Sequence, residues 1–521
     1  MFKGHPKGLI AAALSNMGER FGYYIMVAVL SLFLCSQFGL SDGTAATIYS
    51  VFLAGIYVLS LVGGIIADRT QNYKGTIMTG LIVMALGYVA IAVPINTTAD
   101  NKMFLLVVTC IALAVIAFGN GLFKGNLQAI VGQMYDNLEK EAAKEGPEAL
   151  KKAQGLRDAG FQWFYVFINI GAGIAPFIAP WLRNLSLNSK GLLYNANLPK
   201  LCHEYLASGD AMQGIDNLNT LAAEVTAKGY QITDMTTFCN DYLQLYNNGI
   251  HYAFIASVIA MFISLCIFIF NKVKFPTPSK KVEAEAVTLT ADERQAMAKD
   301  IRQRIYALFA VLGIVIFFWF SFHQNGVTLS YFARDFVNTS TIAPEILQSI
   351  NPICVILLTP VIMLIFSSLA NKGHAISTPR KIAIGMAIAG LAYVFLMVIS
   401  MVNGYPSSTE FLTQSSAAQE AAKTGVWVMV IMYFILTVAE LFISPLGLSF
   451  VSKVAPKHLQ GLCQGLWLAA TAVGNLLLPI GPLMYNAWPI WQCWLVFAIV
   501  CGVSMGVMLG MVKWLEKVTA A

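Results

Sequence analysis

Long apolar stretches separated by short polar ones run along the whole chain. Each stretch has about 20 residues or more, the length that a helix needs to cross the hydrocarbon core of a bilayer. The pattern therefore predicts an all-α polytopic membrane protein with twelve transmembrane helices, near residues 9–37, 45–67, 76–94, 103–133, 158–182, 250–271, 304–326, 344–370, 381–402, 425–451, 459–484 and 489–514.

Two longer polar stretches interrupt this alternation. The stretch 271–303 is basic and divides the spans six and six, so we expect it to link an N-terminal bundle, 1–270, to a C-terminal bundle, 304–521. The stretch at about 185–248 has helical periodicity in its later part, over Ala211–Lys228 and Asp234–Asn247. It predicts a small helical cap outside the membrane.

Cys202 and Cys239 both lie in this insertion. They could form a disulfide if the cap faces an oxidising compartment, and the sequence leaves that open. The other seven cysteines lie in predicted spans, where a thiol is ordinarily inert packing.

Composition and charge agree with a membrane protein. The chain is 57% hydrophobic and 12% charged, against about 25% charged in soluble domains. Its basic residues form no stripe with interleaved aromatics, so we expect no nucleic-acid partner. Under the positive-inside rule, 24 of the 33 Lys and Arg residues place both termini in the cytoplasm, with seven on the other side. We find no transit peptide, and therefore expect a bacterial-type inner membrane.

Four acidic or basic residues lie deep inside the predicted spans, away from their ends, and are candidates for function. They are Glu19 and Arg20 in the first span, Lys124 in the fourth and Glu440 in the tenth. A charge at membrane depth costs roughly 2.5–3.5 kcal/mol on insertion scales, so such residues are expected to face a cavity inside the bundle. For Glu19 and Arg20, an ion pair that only locks the helix is the alternative.

Polar and aromatic side chains share helix faces with these charges. Tyr24 lies one turn after Arg20, Tyr165 and Asn169 share a face of the fifth span, and Trp319 and His323 are one turn apart in the seventh. Trp467 and Asn475 are candidates for the cavity wall in the eleventh. Such groups suit a polar, amide-bearing ligand, although interhelical hydrogen bonding or packing is the common alternative.

A glycine-rich segment, GGIIADR at 63–69, ends the second span. Its glycines allow helices to approach closely, and the acidic and basic pair Asp68 and Arg69 at the helix end predicts a conformational gate. A helix terminator with solvated charges is the alternative. We find no HExxH zinc motif, GxSxG elbow or intramembrane aspartate cluster, so we expect no enzyme activity, metal or cofactor.

Several motifs together resemble the proton-coupled oligopeptide transporter (POT/PTR) family of the major facilitator superfamily, in that family's order. The resemblance implies a major facilitator fold of two six-helix bundles, and import of di- and tripeptides by proton symport across the lipid bilayer; we expect a monomer. The motifs are GERFGYY at 18–24, GGIIADR at 63–69, GNGLFKGN at 119–126, RDAGFQWFYVFINIG at 157–171, FW at 318–319 before HQNG at 323–326, and ELFISPLGLSFVSKVAP at 440–456.

The resemblance also implies roles for residues. A basic cluster of Lys124 with Arg20 would face the peptide carboxylate, and Glu440 would face the amino group. Candidates for carrying the proton are Glu19, His323 and Glu440; we prefer Glu19 with His323, as unpaired groups in a cavity. The substrate-binding set is Arg20, Tyr24, Tyr57, Lys124, Tyr165, Asn169, Trp319, Glu440, Ser444 and Trp467.

Four positions depart from the family pattern. Asn16 replaces the first acid of the first helix, Val27 a second basic residue, Gly125 a proline and His323 an acid. Proton coupling thus lacks two of its usual carboxylates. A peptide facilitator or differently coupled carrier, a transporter of another small anion or amino-acid derivative, an exporter and a peptide receptor stay open as alternatives.

Overall fold

The structure is a computed structural model that describes residues 4–276, 291–374, 376–454 and 460–520. Over these ranges the chain is helical, with one isolated β-bridge between Val337 and Thr424 and no strand. The helices of the first half are α1 Leu9–Phe38, α2 Asp42–Thr70, α3 Tyr73–Ala92, α4 Lys102–Glu145, α5 Pro147–Ile174, α6 Ile178–Asn188, α7 Leu198–Ser208, α8 Ile215–Val225 and α9 Met235–Phe270.

The second half is built in the same way from long helices and short connecting ones. They are α10 Ala291–Phe322, α11 Thr328–Phe336, α12 Ile350–Asn371, α13 Thr378–Val402, α14 Ser408–Leu412, α15 Ser416–Ala422, α16 Trp427–Val454, α17 Gln460–Leu476, α18 Ile480–Ala487 and α19 Ile490–Ala520.

Twelve segments in the described part of the chain are long and apolar enough to cross a membrane, which confirms the predicted number of spans. Some bounds differ. The helix α4 has 44 residues and runs past the predicted end at 133 because Asn137–Glu145 is rich in Ala, Glu and Lys, which are strong helix formers. It ends at Gly146, whose φ of +130° other residues rarely adopt.

Prolines divide two of the predicted spans. The fifth is interrupted by a 3₁₀ turn, Ala175–Phe177, that contains Pro176, and continues as α6. The eleventh breaks after α17, and α18 follows Pro479. Proline has no N–H to donate to the preceding turn, so a helix readily breaks there. The seventh span likewise passes through a 3₁₀ turn, His323–Gly326, before α11.

The predicted helical cap is present, with different helices. The predicted stretch Ala211–Lys228 contains α8, whereas Asp234–Asn247 is not a separate helix, because α9 runs without a break from Met235 into the sixth span. The helix α7 was not predicted. We call the end of the bundle that carries α7 and α8 the cap face.

The two cysteines of the cap are not bonded to each other in the structure. Cys202 on α7 and Cys239 on α9 are both free and buried, and their side chains are adjacent. Burial raises the pKa of the Cys202 thiol well above its usual value. The disulfide left open by the sequence is therefore absent, although its two thiols lie side by side.

Glycines bring α2, α3 and α4 together. A Cβ on Gly63 would lie 2.2 Å from the carbonyl oxygen of Gly121, and one on Gly80 would lie 2.7 Å from that of Gly119. Both distances are far below a normal contact, so only glycine permits this approach. The close packing fixes the segment of α4 that carries Lys124.

The predicted linker is only partly described. Residues 277–290 lie outside the described residues, and α10 already begins at Ala291, inside the predicted stretch 271–303. The domain bounds 1–270, 271–303 and 304–521 stay a prediction. Most helix contacts fall within each half, and α2 with α17 and α5 with α12 make the main contacts between halves.

Candidate substrate and proton site

Glu19 and Arg20 form a two-bonded ion pair inside the first half. Arg20 Nε donates to Glu19 Oε2 at 2.5 Å and Nη2 donates to Oε1 at 2.7 Å, while Asn120 Nδ2 on α4 donates to Oε1 at 2.6 Å. Glu19 is fully buried and Arg20 is 5% exposed. The expectation that Glu19 is unpaired is therefore wrong, because three hydrogen bonds hold its carboxylate; its part in proton transfer stays a prediction.

Lys124 has no carboxylate partner within 4 Å among the described residues. Its ammonium lies instead over the ring of Tyr57 on α2, with Nζ 4.4 Å from the ring centroid. An aromatic face attracts a cation but does not neutralise its charge. Since Glu19 already engages Arg20, Lys124 carries the positive charge that stays available to a ligand.

Glu440 is the corresponding acid of the second half. Its Oε2 accepts a hydrogen bond of 2.7 Å from Asn351 Nδ2 on α12, and that amide also donates to Thr437 Oγ1 at 3.0 Å. Glu440 is half-buried and has no cationic partner in the described part of the chain. Ser444, also half-buried, lies one turn further along α16.

Tyrosines of the first half lie between these charges. Tyr24 is close enough to Arg20 and Glu440 for both charges to act on its hydroxyl, and Glu440 acts in the same way on Tyr57 and Tyr165. The side-chain amide of Asn169 donates to the Tyr165 carbonyl at 2.9 Å. The charge of Glu440 thus reaches three of the predicted substrate-binding residues of the first half.

His323 lies in the turn after α10, against two neighbours. Its ring stacks on Trp319 with centroids 5.0 Å apart, and its Nδ1 is hydrogen-bonded to Asn475 Oδ1 on α17. The charge of Lys124, from the first half, also acts on His323. The structure therefore brings Trp319 and His323 to the interface of the two halves.

Trp467 is in a different environment. It is 3% exposed and packs over Gly447 of α16, where a Cβ would clash with the indole ring. In this structure it packs α17 against α16, and its predicted contact with substrate stays untested.

The predicted gate residues lie at the end opposite the cap face. Asp68 accepts a hydrogen bond from the hydroxyl of Tyr73, at the start of α3, and both Asp68 and Arg69 are exposed. This contact stays within the first half. The gate therefore stays a prediction.

At the cap face, by contrast, buried ion pairs join the two halves. Arg183 Nη1 on α6 donates to Glu345 Oε1 at 2.5 Å, in the turn before α12. The guanidinium of Arg334 on α11 forms two hydrogen bonds, of 3.0 and 3.1 Å, with Asp42 at the start of α2, and its Nε donates to Asp335 at 2.7 Å. These contacts hold the cap face closed.

The cap itself also contacts the second half. Asn217 on α8 donates to the carbonyl of Gln414 at 2.5 Å and accepts from the backbone N–H of Ser416 at 2.7 Å. A cavity of about 1170 Å³ lies between the cap and this loop, lined by Trp181 and Glu224 from the first half and Lys423 from the second, among others.

Sequence reasoning missed Asn351 and the ion pairs of the cap face. Asn351 lies near the start of the predicted span 344–370, where an amide is unremarkable, and the charges of the cap face lie in predicted loops or, for Glu345, at the beginning of that span. The only available signal was their position within a few residues of an apolar stretch. In the described residues, no cluster of three or more His, Cys, Asp or Glu side chains could hold a metal.

Comparisons with known proteins connect this arrangement to one family. A family model described as the POT family matches residues 74–292 and 277–487. The peptide transporter YePEPT of Yersinia enterocolitica is 28% identical over 506 residues, covering 91% of this chain and 87% of that protein. The dipeptide and tripeptide permease B of Shigella dysenteriae is 28% identical over 537 residues, covering 99% and 97%.

Solved structures agree on the fold. A crystal structure of the peptide transporter POT with sulfate matches with a TM-score of 0.68 at 20% identity, over 99% of this chain and 96% of that one. A POT family transporter with 5-aminolevulinic acid matches with a TM-score of 0.66 at 22% identity, over 100% and 98%. These matches confirm the predicted fold of twelve spans in two six-helix bundles.

Proposed function

The chain belongs to the POT family, and on that premise we propose that it imports di- and tripeptides by proton symport and alternating access. Relatives similar over nearly the whole chain carry the names peptide transporter and dipeptide and tripeptide permease. It is a multi-pass membrane protein and not an enzyme.

One observation carries the proposal. Lys124 in the first half and Glu440 in the second each have no partner of opposite charge within 4 Å among the described residues, and the Lys124 ammonium lies over the ring of Tyr57, on whose hydroxyl the charge of Glu440 acts. A zwitterion with its carboxylate toward Lys124 and its amino group toward Glu440 satisfies both charges. Because the two residues belong to different halves, the ligand draws the halves together.

Side-chain tolerance follows from the surrounding walls. Tyr24, Tyr165 and Trp319 present aromatic surface and polar tips, which accept side chains of different size with few fixed hydrogen bonds. Asn169, Ser444, Arg20 and Trp467 complete the proposed substrate-binding set. We expect broad tolerance of peptide side chains and a strict requirement for both charged termini.

Protons act through three groups in this proposal. Among the described residues, Glu440 has one hydrogen-bond donor, Asn351, and it exchanges a proton when the peptide amino group leaves. His323 lies across from Lys124, and Glu19 exchanges its proton as the pair with Arg20 opens. The protein acts as a monomer in a cell inner membrane, with both termini in the cytoplasm and the cap face outside, and needs no cofactor.

Uptake of a labelled dipeptide into proteoliposomes tests the function. It is measured with and without an inward proton gradient, with the membrane potential clamped. Accumulation above the external concentration only with the gradient supports symport. Equilibration that ignores the gradient indicates a facilitator, and absence of any peptide flux, including exchange, overturns peptide transport.

A facilitator is the second candidate, and one contact favours it. Glu19 is fully buried and held by Arg20 and Asn120, so its proton exchange requires breaking three hydrogen bonds. Transport of a small anion without an amino group is disfavoured by Glu440, because such a substrate leaves this half-buried carboxylate without a counter-charge.

A further inference from the structure

His323 is held by one polar side chain, Asn475. Asn475 is fully buried on α17, its Oδ1 is bonded to His323 Nδ1, and its Nδ2 has no hydrogen-bond partner among the described residues. A buried side-chain amide normally forms hydrogen bonds through both its oxygen and its nitrogen, because leaving a buried donor unpaired costs about 1–3 kcal/mol. The contact with His323 is thus the only hydrogen bond that the structure gives this side chain.

Close packing fixes the two side chains relative to each other. A Cβ on Gly474, the residue before Asn475, would lie 2.6 Å from the carbonyl oxygen of Ile316 and 2.9 Å from the Cβ of Trp319. The helices α10 and α17 therefore touch through backbone at this level. With Trp319 stacked on its other side, the imidazole of His323 is held in one orientation.

The contact determines which ring nitrogen carries hydrogen. An amide oxygen only accepts, so Nδ1 must donate, and the neutral ring is the Nδ1–H tautomer. Nε2 then keeps its lone pair and makes no hydrogen bond to any residue that the structure describes. His323 is half-buried, so this nitrogen is the one left for water, substrate or an incoming proton.

A proton on Nε2 has a consequence for both halves. The charge that acts on His323 is that of Lys124, which lies in the first half, whereas His323 lies in the second. An imidazolium therefore repels Lys124 and weakens the approach of the halves. Other titratable groups on neighbouring elements are bonded elsewhere: Tyr393 to Ser321, Tyr433 to Asn325, and Glu440 to Asn351.

We infer that Asn475 is a positioning residue for proton coupling: by accepting from Nδ1 it fixes the tautomer of His323 and leaves Nε2 as the nitrogen that takes up the transported proton. The transport part of this inference rests on the proposed function, and the tautomer part does not.

Two substitutions at Asn475 move the pH dependence of gradient-driven uptake in opposite directions. Asn475→Asp places a carboxylate on Nδ1–H, which stabilises the imidazolium, so the pH of half-maximal uptake rises by about one unit or more. Asn475→Leu removes the acceptor and lowers that pH. A role in packing alone gives no shift, or the same shift for both variants.

The His323→Gln background isolates the effect. There, where the proposed proton site is gone, the pH profile of peptide exchange is compared instead of gradient-driven uptake, and neither substitution at Asn475 shifts it if Asn475 acts through the imidazole. A shift that persists in His323→Gln, or an unchanged profile in Asn475→Asp alone, overturns the inference.

A spectroscopic measurement tests the tautomer without transport. In protein labelled with ¹³C and ¹⁵N histidine and held in nanodiscs above the midpoint pH, the His323 signals are assigned by their loss in His323→Gln. We expect the Nδ1–H pattern in the wild type and loss of its dominance in Asn475→Leu. An Nε2–H pattern in the wild type overturns the inference, whereas absent peptide flux with an Nδ1–H pattern overturns only the proposed function.

Discussion

Arg183 and Glu345 pair across the two halves of the molecule, and their side chains are 1% and 0% exposed. The guanidinium lies 3.8 Å from the ring centroid of Tyr194, yet Nε and Nη2 of Arg183 and Oε2 of Glu345 have no hydrogen-bond partner among the described residues. A buried pair with unsatisfied groups gives little net stability. It holds the cap face closed but lets it open readily once water enters.

We expect Glu345→Gln to open the cap face. Removing one partner of a buried ion pair leaves an uncompensated charge, which destabilises the closed state by about 3–5 kcal/mol. Cys35 borders a smaller cavity at the cap face with Asp42 and Arg334, so its rate of maleimide labelling, followed by mass spectrometry, should rise at least tenfold. The double variant Arg183→Met/Glu345→Leu removes both charges and should label like the wild type. Equal rates in Glu345→Gln and wild type would show that the pair does not hold this face.

Glu19→Gln separates proton coupling from peptide movement. The glutamine side chain can still accept the hydrogen bond from Asn120. It cannot carry the transported proton or form an ion pair with Arg20. Gradient-driven accumulation should be lost, while exchange of peptide for peptide persists. Both are measured in the same proteoliposomes, and Asn16→Ala, which changes a neighbouring polar residue, serves as control. Accumulation at the wild-type level would exclude Glu19 as the coupling residue.

Asn351→Leu should weaken binding of the peptide amino group. The amide orients the carboxylate of Glu440, and a hydrogen bond to a charged group contributes about 1.5–3 kcal/mol, so KM for a dipeptide should rise about tenfold or more. Thr437→Val is the matched control, because Thr437 accepts a hydrogen bond from the same side-chain amide of Asn351 but is not itself bonded to Glu440. The idea fails if both variants keep the wild-type KM.

The cap should loosen in acid through His203. Its Nε2 bonds to the carbonyl of Ser36 on α1 at 2.6 Å, and burial lowers the pKa of His203 from 6.5. The unfolded form then binds more protons, so the stabilising contribution is complete above pH 6.5 and is lost as the pH falls below that value. Hydrogen exchange of α7 should accelerate between pH 7 and pH 5.

His203→Gln should remove that acceleration, which makes it the control. Burial raises the pKa of Glu204 on the same helix, so protonation of Glu204 stabilises the cap as the pH falls, opposite to the effect of His203. Glu204 is therefore kept unchanged in both proteins that are compared. Identical pH dependence in His203→Gln and the wild type would assign the effect to another group.

Gly121→Val should destabilise the first half. A Cβ at Gly121 would lie 2.6 Å from the carbonyl group of Leu59, so α2 and α4 must separate, and overpacking of this kind costs about 1–3 kcal/mol. Gly125→Val is the matched control, because among the described residues no atom of another helix lies within 4 Å of a Cβ there. Thermal unfolding in detergent should show a lower Tm for Gly121→Val alone.

The spans and the ionisable site residues could be predicted from the sequence because each has a local physical cause. Twenty apolar residues need a bilayer or a core, and a charge such as Lys124 or Glu440 within them needs a cavity. Pairing has no such local signal. Glu345 lies 162 residues from Arg183, and both occur at the ends of spans, where charges are ordinary.

The cap was predicted only in part, because one of its helices has a clear local pattern and the rest does not. The helical pattern of α8 is regular enough to find, whereas the continuity of α9 depends on residues that are polar at its start and apolar later. The hydrogen bond from Asn120 to Glu19 depends on where α4 lies, and the glycine contacts of α4 with α2 and α3 determine that position. The sequence alone therefore could not predict it.

The cavity between the cap and the loop near Ser416 offers a way to stop the transport cycle from one side. Its walls come from both halves, so it exists only while the cap face is closed. A compound that fills it loses its contacts whenever the halves part, and its binding energy therefore opposes opening. An inhibitor of this kind would be non-competitive with peptide, and it would act from the cap face by keeping the two halves together there.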